Sequence, residues 1–156
     1  MAELRDVFAR IGAEQVTTYV QSGNVVFDAS GRAKKVAAAA EAEISTRLGL
    51  DIAVLIRTRK QLAGIVAANP FASKEASRLY LTFLQEPASA ERVRALDPGA
   101  GAQDEFQVHG REIYLHFPGG YGRSKLSNAY FEKQLGVVAT TRNWKTVSTL
   151  AELAAG

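Results

Sequence analysis

Residues 16–27 run Val16-Thr17-Thr18-Tyr19-Val20-Gln21-Ser22-Gly23-Asn24-Val25-Val26-Phe27, which is two β-branched and aromatic segments on either side of a polar turn. β-Branched and aromatic residues favour strands, whereas Ser, Gly and Asn favour turns. The stretch therefore predicts a β-hairpin. Helical patterns lie on both sides of it, so this hairpin sets the order of elements in the N-terminal half.

The helix before the hairpin is predicted from apolar residues at positions i, i+3, i+4 and i+7, namely Leu4, Val7, Phe8 and Ile11. Gly12 ends it. After the hairpin, residues 32–48 again have helical spacing and Gly49 closes the helix. The short apolar run Ile52-Ala53-Val54-Leu55-Ile56 then predicts a buried strand. The first part is thus helix, strand, strand, helix, strand.

The sequence from residue 59 onward predicts a similar order of helices and strands. A helix over residues 59–68 ends before Asn69-Pro70, since proline disfavours helical geometry in the preceding residue. Then follow a strand at 79–84, a helix from Ser89 through Leu96 and a hairpin around His109-Gly110. A helix at 126–136 and a last helix from Trp144 complete the chain.

These patterns predict an α+β fold of two ferredoxin-like (split β-α-β) subdomains in tandem, residues 1–70 with a linking helix and residues 71–156, together forming one compact unit. Such subdomains have an antiparallel sheet with helices on one face, and their first strand is central. The first subdomain lacks that opening strand. Its absence predicts unpaired backbone groups and an unfilled sheet position, which favours self-association.

The composition is that of a protein with a packed core: of 156 residues, 47% are hydrophobic and 22% are charged. The absence of cysteine excludes disulfides, thiolate nucleophiles and cysteine-ligated metal sites, and it permits a reducing compartment. Neither a membrane-spanning run nor a secretory signal is visible. We therefore expect a cytoplasmic protein with no membrane association.

Positive charge is concentrated in one segment. Between Gly119 and Thr146, five basic residues stand against Glu132 alone, which gives +4, while the whole chain carries +3. The five basic residues are Arg123, Lys125, Lys133, Arg142 and Lys145. A local excess of positive charge favours an anion-binding surface.

A glycine-rich loop opens this segment with Gly119-Gly120-Tyr121-Gly122-Arg123-Ser124-Lys125. Glycines let backbone N–H groups approach phosphate oxygens, and a helix N-terminus follows the loop. We predict an anion site that includes Gly122, Arg123, Ser124 and Lys125. The alternative is a flexible surface turn with solvated basic residues. Because the loop lacks the Gly-Lys-Ser or Gly-Lys-Thr of a Walker loop, nucleotide hydrolysis is not expected.

A second candidate anion-binding stretch precedes the last helix and consists of Thr140-Thr141-Arg142-Asn143 followed by Lys145. Hydroxyls, the free N–H groups of a helix start and an arginine fork can all bind phosphate. The alternative is a capped helix with Thr141 or Asn143 as N-cap and Trp144 in the core. The sequence leaves both open.

Metal and serine chemistry have little support in the sequence. His109 and His116 flank a hairpin with no third ligand at a convincing spacing, so no metal is expected. The candidate serines lie outside a Gly-x-Ser-x-Gly motif, so acyl transfer is not expected. Aromatic residues on the predicted strands could stack on bases, but such residues more often fill a core.

Dinucleotide chemistry is also unsupported. Tyr121 and Lys125 have the Tyr-x-x-x-Lys spacing that short-chain dehydrogenases use for proton transfer. That chemistry requires a Gly-x-Gly-x-x-Gly turn between a strand and a helix, and the sequence contains none. No cofactor is therefore expected.

Three stretches carry a resemblance to a known family: residues 19–27 (YVQSGNVVF), residues 122–128 (GRSKLSN) and residues 139–147 (ATTRNWKTV). With them the sequence resembles the uncharacterised bacterial family called domain of unknown function 1697. The resemblance implies tandem ferredoxin-like α+β subdomains and no established activity. It also implies an additional N-terminal strand and a glycine-rich turn with a basic residue, both of which this sequence lacks before Ala2. We therefore expect a late-assigned start or a truncation, with part of any anion site affected.

Three hypotheses for function remain open. The first is a binding or regulatory domain that holds a phosphate-bearing partner, including nucleic acid, through Arg123, Lys125, Arg142 and Lys145. The second is an enzyme on a small phosphorylated or carboxylated metabolite, with Tyr121 or Lys125 in proton transfer. The third is a structural module that self-associates through the unfilled sheet position.

Overall fold

The computed structural model describes residues 2–19, 23–97, 99 and 102–156, and for Ala2 and Arg123 it describes the backbone alone. The chain divides into two compact units. Unit 1 comprises Met1–Ala63 and Thr149–Gly156, and unit 2 comprises Gly64–Ser148. The subdomain boundary placed between residues 70 and 71 stays a prediction. Across the described residues the fold is mixed α+β, with two antiparallel sheets and six α-helices.

Unit 1 begins with the predicted helix and hairpin, and both are confirmed. Helix α1 is Ala2–Arg10, and strands β1 (Glu14–Tyr19) and β2 (Asn24–Asp28) pair antiparallel. Gly12 has φ +92°, a left-handed value that glycine adopts without strain. The predicted turn residues Gln21 and Ser22, together with Val20, lie outside the described part of the chain.

Helix α2, Ala33–Leu48, shares a hydrophobic core with α1 and ends at Gly49 as predicted. Gly49 has the left-handed conformation. The core of unit 1 lies between these elements, where Phe8 of α1 and Phe27 of β2 place their ring centroids 4.8 Å apart. The buried core residues are Val7, Phe8, Ala13, Ala40 and Ile44.

The strand predicted at residues 52–56 is wrong, because residues 51–58 form neither helix nor strand. The sheet of unit 1 has two strands, β1 and β2, among the described residues. An apolar run becomes a strand only where a neighbouring strand offers backbone partners. The Val54 N–H instead donates to the Glu41 carboxylate of α2 at 2.8 Å.

Helix α3, Arg59–Ala67, is confirmed and links the two units. Unit 2 then contains β3 (Leu79–Leu84), α4 (Ala90–Arg94), β4 (Glu105–His109), β5 (Glu112–His116), α5 (Asn128–Leu135) and β6 (Ala139–Asn143). The four strands form an antiparallel sheet in the order β4-β5-β3-β6. The final helix α6 is Trp144–Ala155.

The helix caps of unit 2 follow the sequence prediction. Ser89 caps α4 by accepting a hydrogen bond from the Arg92 N–H, although α4 ends before the expected Leu96. Gly136 closes α5 with φ +68°. Asn143 is the residue that caps α6, because its Oδ1 accepts from the Thr146 N–H at 2.8 Å.

The strand β6 was not predicted. The sequence pattern places Thr140 and Thr141 at a helix start, but in the structure Thr141 pairs with Thr82 and Thr140 with Phe83 across the ladder to β3. Threonine is β-branched and favours strands, so the signal was present. The cap begins only at Asn143.

The two central strands of the unit 2 sheet, β3 and β5, are buried on both faces. One face packs against α4 and α5 around Leu84, Leu115 and Phe131. Leu81 alternates to the opposite face and is also fully buried. On that face, the Tyr114 hydroxyl donates to the Ile65 carbonyl of α3, and the Tyr114 ring lies 6.3 Å from the Trp144 ring of α6.

Candidate anion-binding surface

The glycine loop of unit 2 starts with a turn that only glycine suits. Gly120 has φ +89° and ψ 161°, a region that residues with a side chain avoid, and its N–H donates to the Phe117 carbonyl at 3.0 Å. A Cβ at this position would lie 3.3 Å from Nη1 of Arg78. Arg78 therefore lies against the loop, and it is a basic residue that the sequence patterns did not identify.

Tyr121 joins the loop to the start of α5. Its hydroxyl accepts a hydrogen bond from the Asn128 N–H at 3.2 Å. Its ring packs against Tyr80 and Phe117, with centroids 5.0 and 5.7 Å away. The phenol oxygen thus supports the helix start as an acceptor, and this bond leaves the phenol proton available.

The hydroxyls around the start of α5 are used within the protein. Ser124 Oγ accepts from the Leu126 N–H at 3.0 Å, and Ser127 Oγ accepts from the Tyr130 N–H at 3.2 Å. The Phe131 N–H donates to the Ser127 carbonyl. An anion at this helix start would have to displace some of these bonds, since a helix offers few free N–H groups once it is capped.

Lys125 and Gly122 are the open members of the loop. The Lys125 side chain is exposed, and its Nζ lies 5.4 Å from the centroid of the Tyr130 ring, which is a cation–π distance. Gly122 is exposed, and a Cβ built there would meet no atom within 4 Å. The side chain of Arg123 lies outside the described part of the structure.

Arg142 and Thr140 share one face of β6. Arg142 Nη1 donates to Thr140 Oγ1 at 2.6 Å and to the Thr141 carbonyl at 3.0 Å. Burial lowers the pKa of the Arg142 guanidinium, but arginine remains charged in proteins. Arg142 is therefore a half-buried cation held against its own strand.

Thr141 points to the other face and belongs to a part-buried hydrogen-bond chain that includes the fully buried Thr82. Its hydroxyl donates to Asn128 Oδ1 at 2.9 Å and lies 2.7 Å from Thr82 Oγ1. Because the single Thr141 proton goes to Asn128, Thr82 is the donor in the second bond. Asn128 Nδ2 donates to the Ala139 carbonyl at 3.0 Å. Thr141 is thus structural, and Asn128 fixes the start of α5 against β6.

This contact through Asn128 relates the two sequence stretches. The loop ends a few residues before Asn128, and β6 leads directly into Lys145, which is exposed in the first turn of α6. Asn143 is occupied by its cap bond. Of the candidate anion-binding residues, Lys125 and Lys145 are exposed cations, as is Lys133 of the same segment. The side chains of Ser124, Thr141 and Asn143 turn inward or toward backbone groups.

Three aromatic residues on or beside the strands of unit 2 are buried and offer no stacking platform. Phe83, Tyr114 and Phe117 are exposed by 7%, 2% and 0%. Burial, followed by repulsion from Glu112, raises the pKa of Tyr114 to about 12. These residues fill the core, so bases could not stack on them without opening the sheet.

The two histidines have separate polar partners. His116 Nδ1 lies 2.9 Å from Glu105 Oε1 on the neighbouring strand, and His109 Nε2 lies 3.0 Å from Gln107 Oε1. Across residues 2–19, 23–97, 99 and 102–156, no group of three or more His, Cys, Asp or Glu residues could hold a metal ion. None of the described helices combines the length and the apolar character needed to cross a bilayer.

The sequence profile of a protein family of unknown function, DUF1697, matches residues 1–114. The chain belongs to this family. Of the three stretches that carried the resemblance, the hairpin lies inside the matched range, whereas the two basic stretches at 122–128 and 139–147 lie beyond it. Proteins of curated function give no match to the chain.

A solved structure, that of the conserved bacterial protein SP0830 from Streptococcus pneumoniae, is similar to this fold. The TM-score is 0.70, and the alignment covers 99% of this chain and 88% of that chain at 18% sequence identity. At this identity the likeness shows a shared fold and says nothing about activity.

Proposed function

We propose that unit 2 binds a phosphate-bearing polymer, such as single-stranded nucleic acid, through a basic surface. This basic surface consists of Arg123, Lys125, Arg142 and Lys145, with Arg78 beside the glycine loop. The observation that carries the proposal is that Lys125 and Lys145 are exposed and have no carboxylate partner among the described residues, in a segment of charge +4. Unpaired surface cations attract polyanions.

The polar side chains near the basic residues are already hydrogen-bonded within the protein, which favours a polymer over a small metabolite as the ligand. A site for one small phosphate needs convergent donors, yet Ser124, Thr141 and Asn143 already have partners inside the protein. Thr140 and Gly122 remain at the edge of the basic surface. Cations spread over a surface suit a ligand with repeated charges, because each phosphate neutralised adds to the affinity.

The test is a titration with a single-stranded RNA and a single-stranded DNA over a series of salt concentrations. We expect weak binding that falls steeply as salt is raised. Lys125→Ala and Lys145→Ala should each reduce the slope of log binding constant against log salt concentration by about 0.7. Lys34→Ala, at an exposed position on α2, makes the same change in net charge outside unit 2. If Lys34→Ala reduced the slope as much as the other two variants, binding would follow the net charge of the protein and the proposed surface on unit 2 would be rejected.

The enzyme hypothesis makes a different prediction in the same assay. A small phosphorylated or carboxylated metabolite would give a saturable thermal shift that salt hardly affects and that polymers do not produce. Such a result, lost in Tyr121→Phe, would replace the polyanion proposal. The lack of cysteine suits the bacterial cytoplasm as the location for either activity.

We also propose a common plan for the two units. Unit 2 has the element order β-α-β-β-α-β and the strand order β4-β5-β3-β6, which support a ferredoxin-like arrangement. Unit 1 has hairpin, helix and apolar segment in the same succession as β4, β5, α5 and β6. In this comparison, no described strand of unit 1 corresponds to β3.

A further inference from the structure

Two tyrosine rings of unit 2 lie side by side and are partly exposed. The ring centroids of Tyr80 on β3 and Tyr121 in the glycine loop are 5.0 Å apart, and the ring planes are inclined by 35°. Both rings also pack against the buried ring of Phe117, at centroid distances of 5.5 and 5.7 Å. We call Tyr80 and Tyr121 the tyrosine pair. The core holds the pair in place, while part of each residue stays accessible to solvent.

Tyr80 places the tyrosine pair beside the second basic stretch. In the ladder between β3 and β6, Tyr80 is the partner of Asn143, the last residue of β6. Lys145 follows two residues later in the first turn of α6 and is exposed. One end of β6, with its exposed cation, therefore lies next to the pair.

Tyr121 places the tyrosine pair beside Arg78. Gly120 precedes Tyr121 in the loop, and a Cβ on Gly120 would lie 3.3 Å from Nη1 of Arg78. The Arg78 carbonyl accepts a hydrogen bond from the Phe117 N–H, which extends the ladder between β3 and β5 by one residue. Because side chains alternate along a strand, Arg78 and Tyr80 project to the same face of the sheet.

Arg78 is exposed and able to contact a phosphate. Its Nε lies 3.9 Å from Glu75 Oε2, and both side chains are exposed. An exposed ion pair of this kind contributes little, so a phosphate can replace the carboxylate. The loop also leaves room for a ligand, because a Cβ built on Gly119 or Gly122 would meet no atom within 4 Å. The tyrosine pair is thus flanked by cations and has open space beside the loop.

We propose that the tyrosine pair stacks with a base of single-stranded nucleic acid, while Arg78 and Lys145 hold the neighbouring phosphates. The inference rests on the proposed function and narrows the phosphate-bearing polymer to one with unpaired bases. Aromatic rings beside cations hold single strands without sequence preference, since every base has a π-face. A duplex keeps its bases stacked inside and would have to be opened first. Because Phe117 already fixes both rings, stacking costs little side-chain entropy.

The probes are two DNA oligomers of equal length, and so of equal charge: oligodeoxythymidylate and an oligomer of abasic sites. Their dissociation constants for the full chain are measured by fluorescence anisotropy at one low salt concentration. We expect oligodeoxythymidylate to bind about tenfold more tightly than the abasic oligomer, which is within the range that one stacked base contributes.

Tyr121→Leu should abolish the difference between the two oligomers and leave the affinity for the abasic oligomer unchanged, which also shows that unit 2 is folded. Tyr121→Phe keeps the ring and should keep the difference, although it removes the acceptor of the Asn128 N–H. Tyr19→Leu is the matched control, at a partly exposed tyrosine on β1 of unit 1, and should also keep the difference.

Equal affinity of the unaltered chain for the two oligomers would overturn the inference and leave the polyanion proposal intact. A difference that persists in Tyr121→Leu would overturn the assignment of the base to the tyrosine pair. Absence of binding to either oligomer would overturn both the inference and the proposed function.

Discussion

Replacing Thr141 with valine tests whether β6 and α5 are joined by the hydrogen-bond chain from Thr82 through Thr141 to Asn128. Valine keeps the shape of the side chain but removes the hydroxyl that donates to Asn128 Oδ1 at 2.9 Å and accepts from Thr82 Oγ1 at 2.7 Å. Thr82 is 0% exposed, so water cannot replace the lost partner without opening the sheet. An unpaired buried polar group lowers the free energy of unfolding by about 1–3 kcal/mol. We expect the loss for Thr141→Val to fall in the upper half of that range.

Thr82→Val is the matched comparison. It removes the donor of one bond but leaves the Thr141 proton on Asn128, so we expect a smaller loss of about 1 kcal/mol. Thr17→Val, at an exposed position on β1, controls for the change in strand propensity and should stay within about 0.5 kcal/mol.

Urea unfolding followed by the fluorescence of Trp144 measures these changes, because this is the only tryptophan and it lies in unit 2. The double variant Thr82→Val/Thr141→Val should cost less than the sum of the single changes, since the two residues are in direct contact. A loss for Thr141→Val that is no greater than that for Thr82→Val would refute the proposed chain.

Three further changes have expected outcomes that follow from local geometry. Tyr114→Phe removes the bond to the Ile65 carbonyl and should cost about 0.5–1.5 kcal/mol. Folding raises the pKa of Tyr114 from 10 to about 12, so the folded state favours the neutral phenol. The free energy of unfolding should therefore fall as the pH rises from 10 toward 12. In urea unfolding, Tyr114→Phe should not show this fall. Gly120→Ala should lower the free energy of unfolding by about 1–3 kcal/mol, because alanine avoids these backbone angles and its Cβ would press on Arg78. Gly119→Ala, which has open space around it, should lower it by less than about 0.5 kcal/mol. Thermal or urea unfolding measures both. Ser127→Ala removes the cap of α5 and should cost about 1 kcal/mol, and no loss in circular-dichroism melts would contradict the cap.

Local signals in the sequence predicted most elements of the fold. Hairpins, helix stops at Gly49 and Gly136 and the cap at Ser89 depend on neighbouring residues, so short patterns suffice to find them. Residues 52–56 were wrongly predicted as a strand because strand formation depends on a partner elsewhere in the chain, which a local apolar pattern does not reveal.

The candidate site was less predictable, since its chemistry depends on contacts between distant residues. The sequence could not show that Thr141 would turn inward to Thr82 and Asn128 rather than toward a ligand. Arg78 lies beside Gly120 through the fold alone. What the sequence did predict is the local charge excess, which depends only on composition and remains the basis of the proposed function.

The most direct test of the polyanion-binding proposal is an NMR titration of the labelled chain with a single-stranded oligoribonucleotide at low salt. The proposal predicts fast-exchange shifts that cluster at residues 119–126 and 140–146 and at Arg78, and that disappear as salt is raised. Shifts confined to unit 1, or no shifts at either set of residues, would contradict it.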